Sequence, residues 1–413
     1  MTNEKMRRFR YGVQVNSLGL TEQQPENNVY RILIETLAVV LSKNARARAV
    51  QLPAWNEALG LPRPFDQQWS LRMQQILAYE TDLLEYGDLF DGSPEVTRKV
   101  EELKQAAREE LAAIDAMGGA VAAIDTGYMK SKLVESNTRR LEAIEKGEQT
   151  VVGVNKFVET EPSPLTAGEG AIMVVPEGVE AQQIERLKAW RDQRDAKAVA
   201  KAIAELRAAA SEGRSVMEPS IAAAKAGVTT GEWGATLREI FGEYRAPTGV
   251  GRAARQTSAA ISPACAANVE RVSQALGRRI KFLVGKPGLD GHSNGAEQIA
   301  VRARDCGMEV VYEGIRLTPA EIVNAALEEG VHCVGLSILS GSHVPLVRDI
   351  MERMRAEGLN DIPVIVGGII PPEDEKVLKA AGVTAVYTPK DFDLNAIMSD
   401  IVRIVDAGRQ KAA

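Results

Sequence analysis

Residues 285–295 read GKPGLDGHSNG, and this stretch decides how the rest of the chain is interpreted. It follows an apolar run, Ile280 to Val284, that predicts a buried strand, and it precedes Ala296 to Asp305, whose apolar spacing predicts a helix. In an open α/β sheet such a loop lies at the carboxyl ends of the strands, where ligands bind. The sequence therefore places the imidazole of His292 at a ligand-binding edge.

Asp290 and His292 together predict a metal ligand. The aspartate can accept the proton of one ring nitrogen, which fixes the tautomer and makes the other nitrogen a better metal donor. Glycines let the backbone turn tightly and leave room for a bulky ligand. They are Gly285, Gly288, Gly291 and Gly295. A single histidine near a helix start is more often structural, but the aspartate, the glycines and the preceding strand together favour a ligand role.

This Asp-x-His-x-x-Gly loop resembles the cobalamin-binding domain of the methylmalonyl-CoA mutase family. The resemblance implies that His292 is the lower axial ligand of cobalt, with Asp290 as its partner and Lys286 completing the relay. It also implies adenosylcobalamin as the cofactor, with its nucleotide tail in a slot between sheet and helices. The other cofactor-binding residues that it implies are Gly291, Gly295, Ser337, Leu339, Gly341, Gly367 and Gly368. For Gly367 and Gly368, a plain strand-to-helix turn is the alternative.

Composition narrows the possible classes of protein. The chain has 413 residues, enough for two or three domains, and its 45% hydrophobic and 26% charged residues are ordinary for a globular protein. A net charge of -6 offers no basic surface for nucleic acid, and no apolar run has membrane-spanning length. The start, MTNEKMRRFRYG, lacks the apolar core of a signal peptide, and the three cysteines lack metal-type spacing. We therefore expect a cytoplasmic protein with no nucleic-acid or membrane partner.

Residues 1 to about 150 alternate short strands with helices. We predict strands at Tyr11 to Val15, Ala47 to Leu52 and Thr150 to Asn155. The predicted helices are Asn27 to Leu41, Phe65 to Tyr79, Pro94 to Met117 and Lys130 to Lys146. This alternation implies parallel pairing, but three strands are far fewer than the eight βα units of a closed barrel.

Residues 10–28, 56–62 and 153–156 are similar to the last third of the barrel in the methylmalonyl-CoA mutase family. The resemblance implies the C-terminal part of a (β/α)8 barrel, a helical linker and a flavodoxin-like cobalamin-binding domain with a five-stranded parallel sheet. These domains would span residues 1–157, 158–278 and 279–413. The first part of the family's barrel has no counterpart, so we expect a fragment, a truncated gene product or half of a split enzyme. Its partner would be a second copy, or a chain that supplies the missing barrel segment.

The resemblance implies catalytic roles for Gln14 and Glu57, with Glu57 holding the adenosyl group of the cofactor. Where methylmalonyl-CoA mutases carry His in an Arg-x-His-x-Gln pattern, this chain has Gly12. Where they carry Asn four residues before the glutamate, it has Pro53. Loss of the ring leaves space for a substrate longer by one methylene, a difference that pockets distinguish mainly by shape. The pattern resembles the ethylmalonyl-CoA mutase subgroup of the family.

Between these parts the sequence is mainly helical. A Pro-rich stretch from Phe157 to about Gly168 leaves the barrel, and Gln183 to Ala209 is expected to form one long charged helix. Val216 to Phe241 predicts one or two more helices, and Gly249 to Pro263 predicts an irregular connection. The helices are interpreted either as a spacer packed against the barrel or as a surface for a partner.

The last third predicts the sheet of a flavodoxin-like domain. Its strands are expected at Ile280–Val284, Glu309–Tyr312, Cys333–Leu339, Pro363–Val366 and Ala385–Tyr387, each followed by a helix. All three histidines lie here, which excludes a zinc or iron site built from several histidines in the first two thirds. His332 opens a buried strand and is interpreted as structural. His343 either contacts the corrin ring or lies in a surface loop.

The resemblance implies an adenosylcobalamin-dependent rearrangement of the carbon skeleton of an acyl-CoA. The first substrate expected is ethylmalonyl-CoA, converted to methylsuccinyl-CoA, and the second is methylmalonyl-CoA, interconverted with succinyl-CoA. A cobalamin-binding module or subunit without catalysis of its own is the alternative. A cobalamin-dependent methyltransferase would carry a four-helix cap before the sheet, and the βα units found there disfavour it.

Overall fold

The computed structural model describes residues 3, 7, 9–161, 163–165, 172–173, 176, 178–250, 262–339, 341–391 and 393–412. The chain forms two compact units, the larger made of Met1–Val174 with Ala246–Ala413 and the smaller of Val175–Arg245. Most of the predicted connection at 249–263 and part of the Pro-rich stretch at 157–168 lie outside the described residues. None of the helices in the described ranges is long and apolar enough to cross a membrane.

The larger unit begins with two short parallel strands joined by a helix. β1 (Gly12–Gln14) pairs with β2 (Ala49–Gln51), and α1 (Asn27–Leu41) connects them, as predicted. Buried apolar side chains from the strands and helices pack together on one side: Val15, Ile32, Leu52, Trp55 and Met73. The other face of the strand pair is exposed. This is the βα pattern of a barrel portion rather than of a closed barrel.

The third predicted strand, Thr150 to Asn155, is wrong. These residues form turns with an isolated bridge between Val152 and Lys156. The amide of Asn155 donates hydrogen bonds to the carbonyls of Ile144 and Gln149 and accepts one from the Val151 N–H. Such local side-chain bonds give the backbone an alternative to strand pairing.

Further helices continue the barrel part of the chain. They are α2 (Pro64–Tyr79), α3 (Pro94–Ala116), α4 (Ala120–Asp125) and α5 (Tyr128–Glu145). Short 3₁₀ turns lie at Ser17–Gly19, Lys43–Ala45 and Asp82–Leu84. The predicted start of α3 is confirmed, since Ser93 accepts a hydrogen bond from the Val96 N–H and Pro94 occupies the first helical position.

The smaller unit is helical. Its helices are α6 (Val179–Gln193), α7 (Ala196–Ser211), α8 (Met217–Ala226) and α9 (Thr230–Phe241). The single helix predicted for Gln183 to Ala209 is therefore wrong, because Asp195 accepts hydrogen bonds from the N–H groups of Lys197 and Ala198 and starts a new helix. Arg194, extended at this break, forms a bidentate ion pair with Glu232 of α9 at 2.5 and 2.7 Å.

The carboxyl-terminal part of the larger unit contains a parallel sheet with five strands in the described residues. The strands are β3 (Lys281–Gly285), β4 (Glu309–Val311), β5 (Cys333–Ser337), β6 (Val364–Gly367) and β7 (Ala385–Tyr387). Their order, β4-β3-β5-β6-β7, is the flavodoxin-like order, which confirms the predicted fold class. All the pairings are parallel.

Helices cover both faces of this sheet. One face packs against α10 (Pro263–Leu276), α11 (Asn294–Asp305) and α15 (Leu394–Ala412). The other packs against α12 (Pro319–Glu329), α13 (His343–Ala356) and α14 (Pro372–Ala381). Helix α10 was not predicted from the sequence. Its Cys265, Val269 and Val272 are buried in the core of the first face, so this helix is part of the sheet's own core.

Candidate functional site

The loop after β3 brings three charged side chains into one relay. Lys286 is completely buried, and its Nζ donates a hydrogen bond to Asp290 Oδ2 at 2.7 Å. The other carboxylate oxygen lies 2.6 Å from His292 Nδ1 and accepts a hydrogen bond from the His292 main-chain N–H at 3.0 Å. The His292 side chain is 75% exposed, and Nε2 is the ring nitrogen that remains to bind a metal. The structure therefore brings these three predicted residues together.

Asp290 stays ionised in this loop. Burial alone would raise the pKa of its carboxyl, but hydrogen bonds from Lys286 and His292, with the charge of Lys286, bring the pKa down to about 2. A carboxylate ionised throughout the neutral range holds the proton on Nδ1 of the ring. The relay thus selects the tautomer whose Nε2 carries the lone pair.

The relay lies at the topological switch point of the sheet. Strand order reverses between β3 and β5, so the loops after these strands diverge and leave a crevice at their carboxyl ends. A Cβ built on Gly295 would meet Ser337 Oγ at 4.0 Å and nothing nearer, so these two positions border open space. At the tip of the loop, Leu289 is 91% exposed, an apolar side chain that a bulky ligand would cover.

Gly367 and Gly368 follow one another at the end of β6 but have different surroundings. A Cβ at Gly367 would meet only Tyr387 O, at 3.9 Å, whereas a Cβ at Gly368 would lie 1.9 Å from Ile338 O. With a φ of +155°, Gly368 is thus required by the close approach of two main chains. A bulky side chain at Gly368 therefore cannot report on the predicted slot, and the role of this residue in cofactor binding stays a prediction.

The two other histidines make hydrogen bonds within the protein, and contact of His343 with the corrin stays a prediction. His332 Nδ1 accepts a hydrogen bond from the Lys281 N–H at 2.8 Å, which supports the interpretation made from the sequence. His343, at the start of α13, is 2% exposed, and its Nε2 lies 2.9 Å from Asp374 Oδ2. A surface-loop position for His343 is therefore wrong, because the first turn of α13 is packed against its neighbours.

The barrel part contributes a second group of predicted residues to the same edge. Partial burial raises the pKa of Glu57, and the charge of nearby His292 lowers it, so these two side chains are close enough to interact. Leu61, on the same loop, would lie 3.5 Å from a Cβ built on Gly341. Gln14 lies at the end of β1 on the exposed face, and no described contact joins it to the His292 loop. Leu339 is 36% exposed at the end of the segment after β5.

The loop that carries Glu57 is fixed by a buried carboxylate that sequence reasoning missed. Asp66, fully buried on α2, accepts hydrogen bonds from Trp55 Nε1 at 3.2 Å and from Asn56 Nδ2 at 2.9 Å. It also accepts three from Arg63, through the main-chain N–H, Nε and Nη2. Burial would raise its pKa, but these bonds hold it at about 2. The signal in the sequence was Pro64-Phe65-Asp66, an acidic residue in the first turn of a helix that begins with proline.

We expect Asp66→Asn to reduce the free energy of unfolding of the barrel part by about 2–3 kcal/mol at pH 7. Because its pKa of about 2 lies below the roughly 3.9 of an unfolded aspartate, this stabilisation is complete above pH ~4 and disappears as the pH falls towards 2. Urea denaturation followed by tryptophan fluorescence measures it, since Trp55 is buried beside Asp66. Asp82→Asn, at an exposed aspartate, is the control. Equal denaturation midpoints for both variants at pH 7 would contradict the assignment.

The exposed face of the strand pair combines two small residues with two glutamines. Gly12 and Gln14 share that face with their register partners on β2, Ala49 and Gln51. A Cβ built on Gly12 would contact the Ala49 Cβ at 3.6 Å, in ordinary van der Waals contact. The two residues that face each other here therefore carry no side chain larger than a methyl group.

Two family models match this chain, one in its amino-terminal part and one in the part that contains the five-stranded sheet. The profile of the family described as methylmalonyl-CoA mutase matches residues 1–243, more than half of the chain. The chain belongs to the methylmalonyl-CoA mutase family. A profile described as B12 binding domain matches residues 280–394, which include the His292 loop and the five strands. The family resemblance and the cobalamin-binding class expected from the sequence are thereby confirmed.

Relatives in this family are similar along the whole chain. The ethylmalonyl-CoA mutase of Cereibacter sphaeroides is 69% identical over 403 residues, which cover 98% of this chain and 61% of that protein. The ethylmalonyl-CoA mutase of Methylorubrum extorquens is 62% identical, with 100% of this chain and 60% of that protein covered. The methylmalonyl-CoA mutase of Escherichia coli is 33% identical, with 95% and 55% covered. The chain thus spans about three fifths of the length of these two ethylmalonyl-CoA mutases.

Proposed function

We propose that this chain acts in the adenosylcobalamin-dependent rearrangement of ethylmalonyl-CoA to methylsuccinyl-CoA. The observation that carries the proposal is the Lys286–Asp290–His292 relay, placed at the switch point of the sheet and within electrostatic reach of Glu57. Membership of the mutase family and 69% identity to an ethylmalonyl-CoA mutase support it.

The residues at this edge fit cobalamin. His292 offers an exposed nitrogen of fixed tautomer, and this nitrogen would bind the cobalt ion. Gly295 and Gly367 each have room for an added Cβ, and a nucleotide tail needs such space. When bound, adenosylcobalamin supplies the radical chemistry that removes a substrate hydrogen and returns it.

In this proposal the chain's own residues bind the metal, fix the tautomer of its ligand and orient the adenosyl group. His292 holds the metal, Asp290 holds the proton on Nδ1, and buried Lys286 keeps Asp290 ionised. Glu57 lies on a loop fixed by Asp66, and we assign it to the adenosyl group, whose hydroxyl groups a carboxylate would orient by accepting their hydrogen bonds. We keep the predicted division into residues 1–157, 158–278 and 279–413 as part of this proposal.

The substrate class rests on the exposed face of the strand pair. Gly12 and Ala49 leave room for the ethyl group of ethylmalonyl-CoA where methylmalonyl-CoA mutases carry a histidine ring. Gln14, two residues along the same face, would contact the acyl group. Both roles are proposed from relatives that are longer than this chain, which spans about three fifths of the length of the Cereibacter sphaeroides ethylmalonyl-CoA mutase.

A cobalamin-binding subunit without catalysis of its own is the second candidate. Large apolar side chains are exposed on the barrel part: Phe9, Leu18, Tyr30, Ile34 and Phe65. Where such exposed apolar side chains form a continuous patch, they mark a surface that contacts further protein. We infer that additional mutase-domain strands, or a second copy of this chain, cover them in the working enzyme.

Activity measurements separate the two candidates. Purified protein is titrated with adenosylcobalamin, then supplied with ethylmalonyl-CoA or methylmalonyl-CoA, and the isomeric products are separated by chromatography. Formation of methylsuccinyl-CoA, faster than any formation of succinyl-CoA, supports the mutase proposal. Tight cobalamin binding without turnover supports the subunit alternative. Absence of cobalamin binding would contradict both.

Asp290→Ala should weaken cobalamin binding by roughly 10–100-fold, as loss of the partner of a metal-bound histidine does. The variant also leaves the Lys286 ammonium buried without its carboxylate, so Lys286→Met in the same chain should recover part of the affinity. Asp349→Ala, at an exposed aspartate of α13, is the matched control. Equilibrium dialysis against cobalamin gives the affinities, and a wild-type value for Asp290→Ala would remove Asp290 from the site.

A further inference from the structure

A polar contact from the barrel part reaches the His292 loop. Helix α5 packs against α11, the helix that begins directly after this loop. Lys130, in the first turn of α5, has its Nζ 2.6 Å from Glu297 Oε1 and donates a hydrogen bond to Ser293 Oγ at 2.9 Å. Ser293 is the next residue after His292, and Glu297 lies in the first turn of α11. One cation therefore contacts both the loop and the helix that follow the proposed metal ligand.

The contact with Glu297 compensates a buried charge. Glu297 is 1% exposed, and in the described part of the chain neither carboxylate oxygen accepts a well-aligned hydrogen bond. Among the described residues, Lys130 is the cation that pairs with it. A carboxylate left buried without a cation is strongly unfavourable, so the pair restricts where the first turn of α11 can lie.

A second segment of main chain holds Lys130 against α11. Gly249 has a φ of +72°, and a Cβ built on it would lie 2.9 Å from both Lys130 Cγ and the Lys130 carbonyl carbon. The next residue, Val250, accepts a hydrogen bond through its carbonyl from Arg304, in the last turn of α11. The segment is thus bound to α11 and lies directly against Lys130, which limits the directions that the lysine can take.

Later turns of the two helices are joined independently of Lys130. Thr138 donates a hydrogen bond to Gln298 Oε1 at 3.1 Å, and Arg302, completely buried, donates one to Glu145 at 3.0 Å. These contacts keep α5 docked on α11 when the first turn is altered. The effect of Lys130 is therefore local to the start of α11 and to the loop before it.

We propose that Lys130 is a positioning residue for His292. It holds Ser293 and Glu297, and through them sets the direction from which the imidazole approaches the metal. This rests on the proposed function, since it assumes that His292 binds cobalt. It also means that a helix of the barrel part, and not the sheet domain alone, determines how the axial ligand is presented.

The test measures the fraction of cobalt that a protein nitrogen coordinates. This measurement does not depend on turnover. The probe is cobinamide in its Co(II) form, which lacks the nucleotide base, so a nitrogen splitting in its EPR spectrum comes from the protein. At saturating cobinamide, Lys130→Met should lower the ratio of nitrogen-coupled to uncoupled cobalt by roughly 10-fold, at the low end of losses seen when support of a metal-binding histidine is removed. Lys130→Arg, which keeps the cation, should restore most of it. Lys132→Met, at an exposed lysine on the same helix, should leave the ratio unchanged.

The outcomes are distinguishable. A Lys130→Met protein that melts at lower temperature but keeps the wild-type EPR ratio shows a purely structural role and overturns the inference. Absence of nitrogen coupling in the wild-type protein contradicts the proposed function, and the inference falls with it. Where Lys130→Met fails to fold, Ser293→Ala and Lys130→Gln, which keeps a donor but removes the charge, are combined in a double-mutant cycle. Non-additive effects on the ratio support the connection from Lys130 through Ser293, and additive effects overturn it.

Discussion

Replacing His292 by alanine should abolish coordination of cobalt by a protein nitrogen. The side chain is exposed at the switch point with Nδ1 engaged by Asp290, so no other ring nitrogen is presented in the same way by the described residues. Cobalamin affinity should fall by more than the roughly 10–100-fold expected when only the partner of such a histidine is lost. EPR of the Co(II) form shows the loss of nitrogen splitting, and equilibrium dialysis gives the affinity.

His332, elsewhere in the sheet domain, provides the control variant for the loss of nitrogen coordination. His332→Gln keeps an acceptor for the Lys281 N–H and lies at the start of β5, away from the carboxyl ends of the strands. We expect wild-type nitrogen splitting in this variant. If His292→Ala keeps the splitting while His332→Gln loses it, the metal ligand has been assigned to the wrong histidine.

Gly368→Ala should destabilise the sheet domain by at least about 3 kcal/mol, because small-to-large changes that force main chains apart exceed the usual cost of overpacking. The added Cβ would lie 1.9 Å from Ile338 O, in the segment that follows β5, and neither main chain is free to move. Thermal denaturation followed by circular dichroism measures the loss. Failure of the variant to fold agrees with this expectation.

Two other glycines separate the cost of a positive φ from the cost of the close contact with Ile338 O. Gly358→Ala also places alanine at a positive φ, +73°, but in open space, so it should cost only about 1–2 kcal/mol. Gly367→Ala meets only Tyr387 O at 3.9 Å and should change stability by less than about 0.5 kcal/mol. Larger residues at 367, rather than 368, therefore probe the nucleotide slot. A Gly368→Ala protein as stable as Gly358→Ala would contradict the close approach.

The sheet and the His292 loop were predictable because their signals are local. Strands buried on both faces appear as continuous apolar runs, as Cys333 to Leu339 does, and these runs match the observed strands to within one or two residues. The relay lies within seven consecutive residues, from Lys286 to His292, so its geometry follows from one turn of chain. Family resemblance then supplied the identity of the ligand, which spacing alone does not give.

The elements that were missed depend on particular side-chain bonds or on distant partners. Asn155 binds three neighbouring main-chain groups and removes a predicted strand, and Asp195 divides a predicted helix. Neither the asparagine nor the aspartate interrupts the apolar pattern from which the strand and the helix were predicted. Lys130 acts on residues brought close only by folding, since it lies 163 positions from Ser293. A single sequence offers no signal for such contacts.

The central claim is that a protein histidine, rather than the cofactor's own nucleotide base, binds cobalt at this edge. Protein grown with nitrogen-15 as its only nitrogen source is loaded with unlabelled cobalamin in the Co(II) form, and its EPR spectrum is compared with that of unlabelled protein. Nitrogen-14 splits each cobalt line into three, and nitrogen-15 splits it into two. We predict triplets in the unlabelled protein that become doublets in the labelled protein. Triplets that persist in the labelled protein would show that the cofactor's base is the ligand, and would contradict the account.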